Sequence, residues 1–417
     1  MSKLFNIKEH VIGGSHIREY ARATSDDQDA ILKLHIKQYT PKDNPSPSKG
    51  DVTIIGSHAN GFPKEMYEPL WDDLHQELKK HGVRIRGIWI ADCAWQGQSG
   101  VLNQSQSLLG NDPGWYDYSR DIIHMINTFR MPRPLVGVGH SFGANALSYA
   151  ALSHPRLFCS MVLLDPVIAP YGNEPKVWEA SPAAASTKRR DVWPSRENAA
   201  ELFKNSPFYK SWDPRAFDQW IAYGLRNVTD GPGGEVTLAT TKHQEVFTFL
   251  RPSWPAFDAA GKNVVDPKWM QDVGTSIKVS RPTYPFYRAE PLNTFSRMSD
   301  LRPGVIFING AQSDVVRHQD VKKRTEITGT GLGGSGGIAA HRVEEVSHPK
   351  YGHFVPLEDP VFCAQQAAGF MKKELDIWAA EERDYQEWAK RTNGEKTTIS
   401  PDWKMHLKVK GRPLAKI

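Results

Sequence analysis

Short apolar runs alternate with amphipathic segments along most of this chain. Unbroken runs such as "VTIIG" and "GIWIA" are typical of strands buried on both faces, whereas "YEPLWDDLHQELKK" has apolar residues at helical spacing. We therefore predict an α/β fold with a mostly parallel, doubly wound sheet, preceded by short antiparallel strands within residues 1–50. The predicted later strands comprise residues 51–58, 83–92, 159–168, 304–310 and 341–346, with one more leading into residue 139.

The alternation stops in residues 170–295, which are rich in aromatic side chains and predicted to be helical. An insertion of this length inside a sheet is usually functional, so we interpret it as a helical cap inserted before the last strands. The α/β core then comprises residues 1–169 and 296–391, and a long helix over about residues 360–391 closes it. Residues 392–417 are predicted to form a polar tail that packs weakly.

Composition narrows the class of protein only slightly. The 417 residues carry 52 Lys and Arg against 47 Asp and Glu, a net charge of +5 that does not call for a nucleic-acid partner. Cys93, Cys159 and Cys363 are too widely spaced for a disulfide framework or a metal set, which favours a reducing compartment. Because we find neither a signal-peptide core nor a run of 18 apolar residues, we expect no secretion and no membrane span.

The segment "VGVGHSFGAN" places Ser141 between Gly139 and Gly143. A buried strand precedes the serine, and "ANALSYAALSHP" continues as a helix that Pro155 ends. A serine on a sharp turn from strand to helix is typical of a nucleophile elbow, whereas an ordinary glycine-rich turn would not need these flanks. The pattern therefore predicts that Ser141 is a catalytic nucleophile.

A serine hydroxyl needs a base to take its proton, and the base needs an acid to orient it. In enzymes with this type of serine elbow the order along the chain is serine, acid, histidine. This order favours a late histidine, and we prefer His353 in "KYGHFVP" to His348. Two carboxylates follow strands and could serve as the acid: Asp165 in "LLDP" and Asp314 in "AQSDVV". Periodicity does not choose between them.

An acyl-transfer site also needs amide donors for the oxyanion. The N–H of Phe142, directly after the serine, is the first predicted donor. The second should come from "SHANGFPKE", the loop after residues 51–58. We favour the N–H of Phe62 there, with Asn60 as the alternative.

The motifs "HANGFPKEMYEP", "GHSFGANAL", "LLDPV", "KRRDVWPSREN" and "YGHFVPLEDP" together resemble those of the fungal peroxisomal α/β-hydrolases. This family includes peroxisomal lipases, toxin-biosynthesis hydrolases and acyl-CoA hydrolases, and the likeness covers about residues 5–390. It implies a triad of Ser141, Asp165 and His353, with Asp165 preferred to Asp314. It also implies hydrolysis of acyl thioesters or esters without a metal or a redox cofactor.

Ala415-Lys416-Ile417 resembles the peroxisomal address of the S-K-L type, with isoleucine in place of the commoner leucine. We therefore expect a peroxisomal matrix protein that an import receptor recognises, and otherwise a cytoplasmic one.

Three functions are compatible with the sequence. The first is an acyl-CoA thioesterase, for which "TKRRD" at residues 187–191 could bind the anionic CoA. The second is a carboxylester or lipid hydrolase with the aromatic cap as its acyl pocket. The third is an acyl-transfer, cyclisation or scaffold protein, and serine at the elbow excludes the dehalogenases and epoxide hydrolases of this fold, which use aspartate.

Overall fold

A computed structural model provides the structure of the chain. The chain divides into two compact units, Met1–Glu374 and Leu375–Ile417. The structure describes residues 2–169, 179, 181–228, 234–273, 284–314 and 321–408.

An eight-stranded sheet forms the centre of the first unit, in the order β1-β2-β4-β3-β5-β6-β12-β13. The pairs β1/β2 and β2/β4 are antiparallel, and all later neighbours are parallel, which confirms the predicted fold class. The strands are β1 Phe5–Gly13, β2 Lys33–Pro41, β3 Val52–Ser57, β4 Ile85–Ala91, β5 Leu135–His140, β6 Ser160–Leu164, β12 Gly304–Gly310 and β13 Val343–His348.

Helices cover the faces of this sheet. β3, β5, β6 and β12 are buried along their whole length, as their unbroken apolar runs predict. The α-helices before β6 are α1 Glu68–Lys80, α2 Gly97–Gln104, α3 Trp115–Thr128 and α4 Phe142–Ser153. The first unit also contains 3-10 turns at Ala21–Ala23, Lys64–Tyr67, Trp254–Ala256, Pro267–Trp269, Met298–Asp300 and Ile338–Ala340.

The chain between β6 and β12 forms short helices and two small sheets of its own. One sheet has the order β7-β9-β8 and the other pairs β10 with β11. Trp193, Trp212 and Trp220 are buried there, as expected for aromatic side chains that form a local core. The cap boundaries given above remain a prediction. The elements are α5 Pro182–Lys188, β7 Val192–Trp193, α6 Arg196–Asn205, α7 Pro207–Lys210, α8 Pro214–Tyr223, β8 Leu225–Asn227, β9 Val236–Leu238, α9 Lys242–Phe249, β10 Arg251–Pro252, β11 Phe286–Tyr287 and α10 Glu290–Phe295.

The remaining helices of the described residues follow β12. They are α11 Val321–Ile327, α12 Val355–Glu358, α13 Pro360–Ala389, α14 Asn393–Thr397 and α15 Pro401–His406. The observed α13 ends within two residues of the predicted long helix. Among the helices that the structure describes, none is both long enough and apolar enough to cross a membrane.

Within residues 392–417, predicted to be a polar tail that packs weakly, the described part forms two short helices. A capping box between Thr392 and Glu395 starts α14, and Ser400 with Pro401 precedes the last turn. Trp403 and Leu407 are nonetheless about three-fifths exposed, at 61% each. The tripeptide Ala415-Lys416-Ile417 lies outside the described residues.

Candidate active site

Ser141 occupies the turn between β5 and α4 with φ 59° and ψ −123°, a left-handed conformation that non-glycine residues rarely adopt. The residues two positions before and two positions after Ser141 must be glycines because the turn packs against the end of β3. A Cβ on Gly143 would lie 2.4 Å from the backbone oxygen of His58, and one on Gly139 would lie 2.6 Å from Ser57 Oγ. The motif is therefore a steric requirement of this turn.

The structure brings Ser141, His353 and Asp165 into one chain of hydrogen bonds. Ser141 Oγ lies 2.9 Å from His353 Nε2, and His353 Nδ1 lies 2.7 Å from Asp165 Oδ1. An ionised carboxylate can only accept, so Nδ1 carries the ring proton and Nε2 accepts from the serine hydroxyl. In this tautomer the imidazole can take the serine proton.

Asp165 is fully buried at the carboxyl end of β6, with φ 39°. Its Oδ2 accepts from the Gly310 N–H at 2.9 Å, and its Oδ1 also accepts from the Ser313 hydroxyl at 2.7 Å. Burial alone would raise the pKa of Asp165. The hydrogen bond and charge of His353, with the Gly310 and Ser313 donors, outweigh burial and lower the pKa, so the carboxylate is held ionised.

The two alternative residues lie in different surroundings. Asp314 is exposed, whereas Asp165 is buried and its carboxylate forms the hydrogen bond to His353. His348 stacks on Tyr351 at 4.5 Å, and its Nε2 lies 3.4 Å from Asp359 Oδ2. The geometry therefore favours Asp165 and His353.

Of the two predicted oxyanion donors, the Phe142 N–H is available to a ligand and the Phe62 N–H is not. Phe142 is the first residue of α4, where amides have no acceptor within the helix. The Phe62 N–H instead donates to the Ala59 carbonyl at 3.2 Å, so it is engaged within its own loop. In the part of the chain that the structure describes, no protein acceptor lies against the Asn60 N–H. The geometry thus favours Asn60 over Phe62.

Buried His58 fixes the start of this loop. Its Nε2 accepts from the Cys93 N–H at 2.9 Å, so its Nδ1 carries the proton that is donated to the Ala59 carbonyl at 2.9 Å. Burial lowers the pKa of His58, which keeps the ring neutral and this pairing intact.

His140 joins the elbow to two other loops of the site. Its Nε2 donates to the His353 carbonyl at 2.8 Å, which leaves Nδ1 to accept from the Tyr67 hydroxyl at 2.8 Å. The same hydroxyl accepts from the Ala59 N–H at 2.8 Å. Burial, and then the neighbouring His353, lower the pKa of His140 to about 3, so the ring stays neutral.

An aromatic cluster lies next to His353. Phe354 follows the histidine, with its ring centroid 5.3 Å from that of His353, and packs against Phe62 at 5.2 Å and Phe208 at 5.2 Å. Phe208 belongs to α7 and is 45% exposed, whereas Ser141 is only 5% exposed. Apolar surface is therefore available beside Ser141, which is itself nearly covered.

The predicted cations at residues 187–191 are only partly available for an anionic ligand. Arg189 Nη1 donates to Glu245 Oε2 at 2.8 Å, and Ser186 Oγ donates to Glu245 Oε1 at 2.6 Å. Arg189 is thus part of an ion pair between α5 and α9. Lys188 and Arg190 are exposed.

The sequence analysis did not identify several residues of the site. Tyr67 and Ser313 hydrogen-bond His140 and Asp165, and Gln96 Oε1 accepts from the Gly61 N–H of the loop after β3, all through contacts between distant parts of the chain. His140 lies inside the elbow motif, and this position indicates that it belongs to the site. The sequence does not show its two hydrogen-bond partners, Tyr67 and the His353 carbonyl. Among the described residues, no cluster of three or more His, Cys, Asp or Glu side chains is arranged to hold a metal ion.

The sheet and the serine elbow at its centre define a hydrolase of the α/β class. The chain belongs to the alpha/beta hydrolase family, whose model it matches over residues 54–366. This confirms the predicted enzyme class and is consistent with the resemblance drawn from the motifs.

Relatives and solved structures extend the likeness over nearly the whole chain. A type I acyl-CoA thioesterase, mpaH of Penicillium roqueforti, is 36% identical over 435 residues, covering 98% of this chain and 96% of its own. The abhydrolase domain-containing protein AFT2-1 of Alternaria alternata is 25% identical and covers 67% of this chain and 100% of its own. The peroxisomal hydrolase Lpx1 of Saccharomyces cerevisiae superposes with a TM-score of 0.66 at 15% identity, covering 96% of this chain and 100% of its own, which shows a shared fold.

Because Asp165 is buried against His353 and Asp314 is exposed, the same Asp→Asn substitution should affect kcat differently at the two positions. Asp165→Asn should lower kcat by about 10⁴-fold, because an amide opposite Nδ1 favours the wrong histidine tautomer. Asp314→Asn, the matched control, should leave kcat within about twofold, since surface changes have small effects. Steady-state kinetics with circular dichroism of both variants checks this, and a larger loss in Asp314→Asn would contradict the assignment.

Proposed function

We propose that the protein hydrolyses acyl-CoA thioesters through an acyl-enzyme on Ser141. The observation that carries the proposal is the hydrogen-bonded chain from Ser141 Oγ through His353 to buried Asp165. It supports general-base activation of the serine, with Asp165 holding the imidazole in the required tautomer.

In the proposed reaction His353 Nε2 takes the hydroxyl proton as Ser141 Oγ attacks the thioester carbonyl. The tetrahedral intermediate collapses, the C–S bond breaks, and His353 returns the proton to the CoA sulfur. A water molecule then loses its proton to His353 and attacks the serine ester. The carboxylic acid leaves and the proton returns to Ser141 Oγ.

The oxyanion of both intermediates is placed against the N–H groups of Phe142 and Asn60. Both amides belong to segments that contact each other, since Gly143 packs directly on the His58 carbonyl. We prefer Asn60 to Phe62 because the Phe62 N–H already has the Ala59 carbonyl as its acceptor. Preorganised donors of this kind stabilise charge that develops in the transition state.

The substrate class rests on the relatives and on the surroundings of the nucleophile. The Penicillium roqueforti relative is named as an acyl-CoA thioesterase and aligns with nearly the full chain. Phe62, Phe354 and Phe208 offer apolar surface beside His353 for the acyl group. Within residues 187–191, Lys188 and Arg190 are exposed and are the side chains proposed to contact the CoA phosphates. Residues 170–295 act as the cap that holds the acyl chain.

A carboxylester hydrolase is the second candidate. The aromatic cluster favours it equally, because an apolar acyl chain is common to esters and thioesters and the triad geometry serves both. Arg189, the central cation of the predicted CoA contact, is already engaged by Glu245, which weakens the case for a phosphate site there.

Peroxisomal localisation is proposed from the motif Ala415-Lys416-Ile417. An import receptor that reads this address is the implied partner. Lpx1 is described as peroxisomal, and at 15% identity its likeness to this chain extends to the fold only.

Removal of the Ser141 hydroxyl should abolish turnover without unfolding the protein. Loss of a triad member typically costs on the order of 10⁴–10⁶ in kcat. The measurement is release of CoA from acyl-CoAs of increasing chain length, run beside p-nitrophenyl esters of the same acids.

The matched control for this change is Ser148→Ala. Ser148 is a fully buried serine on α4 whose hydroxyl donates to the Ala144 carbonyl, so it receives the same substitution away from the elbow. We expect wild-type kcat in the control. Hydrolysis that persists in Ser141→Ala would exclude the serine mechanism, and a higher kcat/KM for the esters would select the second candidate.

Deletion of Ala415-Lys416-Ile417 should move the protein from punctate organelles to the cytosol and leave kcat unchanged. The receptor reads a free terminus, so the fluorescent tag is placed at the amino end. Replacement of the tripeptide by Ser-Lys-Leu provides the positive control in the same fungal cells. Diffuse fluorescence of the full chain beside a punctate control would contradict the localisation.

A further inference from the structure

Two buried side-chain amides hold the loop that contains the second oxyanion donor. Gln96 Oε1 accepts from the Gly61 N–H at 2.7 Å, and Gln96 Nε2 donates to Asn60 Oδ1 at 2.7 Å. Asn60 Nδ2 in turn donates to the Glu245 carbonyl at 3.0 Å. The relay thus runs from the backbone of the loop, through Gln96 and Asn60, to the backbone of α9.

The direction of every bond in this relay is fixed by its two ends. The Gly61 N–H can only donate, and the Glu245 carbonyl can only accept. If either amide were flipped, an oxygen would face an oxygen or an N–H would face an N–H. The relay therefore has one satisfied arrangement, and neither residue can change it alone.

A third contact holds Gln96 from the side. Its Nε2 also donates to Thr248 Oγ1 at 2.9 Å, and this hydroxyl accepts from Trp95 Nε1 at 2.8 Å while it donates to the Gln244 carbonyl at 2.7 Å. Gln96 and Thr248 are both fully buried. Because all polar atoms of Gln96 have partners, its side chain is held in one position.

We propose that Gln96 and Asn60 are positioning residues that fix the loop so that the Asn60 N–H is presented to the oxyanion. This inference rests on the proposed function. The relay engages the Gly61 N–H, and the Ala59 carbonyl engages the Phe62 N–H, so the Asn60 N–H is the amide of this turn left for a ligand within the described residues. A side-chain pair that touches no reacting atom thereby decides which amide serves catalysis.

The substitution Gln96→Glu tests the relay with almost no change of shape. The new carboxylate still accepts from the Gly61 N–H, but its second oxygen faces Asn60 Oδ1, and a flip of Asn60 would turn an oxygen toward the Glu245 carbonyl. Gln96→Leu removes the relay without adding charge. We expect kcat to fall about 10-fold to 100-fold in both, because displacement of an oxyanion donor acts on the transition state.

Measurements of KM and of inhibitor binding distinguish a loss of donor positioning from a general loss of structure. KM should change less than about threefold, and the inhibition constant of an alkylboronic acid, which forms a tetrahedral adduct on the serine, should rise in parallel with the loss of kcat/KM. The Asn60→Ala and Gln96→Leu changes should be strongly non-additive in kcat, since each breaks the same relay.

Asn44→Asp is the matched control. Asn44 is a buried amide whose Nδ2 donates to Asp51 Oδ2 and the Ile85 carbonyl, both at 2.9 Å, where β3 and β4 begin. The change should lower the Tm, yet leave kcat and boronic acid affinity unaltered.

Two outcomes would overturn the inference. If Gln96→Glu and Gln96→Leu fold and keep a kcat within threefold of the wild type, the relay does not position the donor. The inference also fails if Asn44→Asp, at the same decrease in Tm, loses as much kcat as the two Gln96 variants, because the loss would then reflect reduced stability. Hydrolysis that survives in Ser141→Ala would instead remove the proposed function itself, so the two failures are distinguishable.

Discussion

Close packing between the elbow and the end of β3 is the constraint on which the site depends. Gly143 lies so near the His58 carbonyl that no side chain fits between them, and the Ser57 hydroxyl donates to the Gly143 carbonyl at 2.8 Å. Ser141, two residues before Gly143, has a left-handed conformation at this turn, and the loop after β3 packs against the same turn. One interface thus places both the proposed nucleophile and the proposed oxyanion loop.

Neutral buried side chains then hold the surrounding loops without competing for the proton that catalysis moves. His58 and His140 have lowered pKa values because they are buried, so both act as directional hydrogen-bonding groups. Gln96 and Asn60 serve in the same way without any titration. The ionised carboxylate of Asp165 is directed at His353, which is the group the mechanism requires to change its charge.

The sequence predicted features that depend on local pattern. Buried strands, the serine elbow and a late histidine all have signatures within a few residues, and the sheet and the family confirm the fold class. The choice between Asp165 and Asp314 had no such signature, because both follow strands and only tertiary packing buries one of them. Phe62 was preferred to Asn60 for a similar reason: the acceptor of each amide depends on how the loop turns. Gln96 meets Thr248 across 152 residues, a contact that no local pattern encodes.

The most direct test of the proposed mechanism is the site of covalent labelling by an alkyl fluorophosphonate, located by peptide mass spectrometry and compared with residual acyl-CoA hydrolysis. The mechanism predicts one adduct per chain on Ser141 and a loss of hydrolysis in proportion to the occupancy of that adduct. Full hydrolysis after complete labelling, or inactivation by an adduct on another residue while Ser141 stays unmodified, would contradict it.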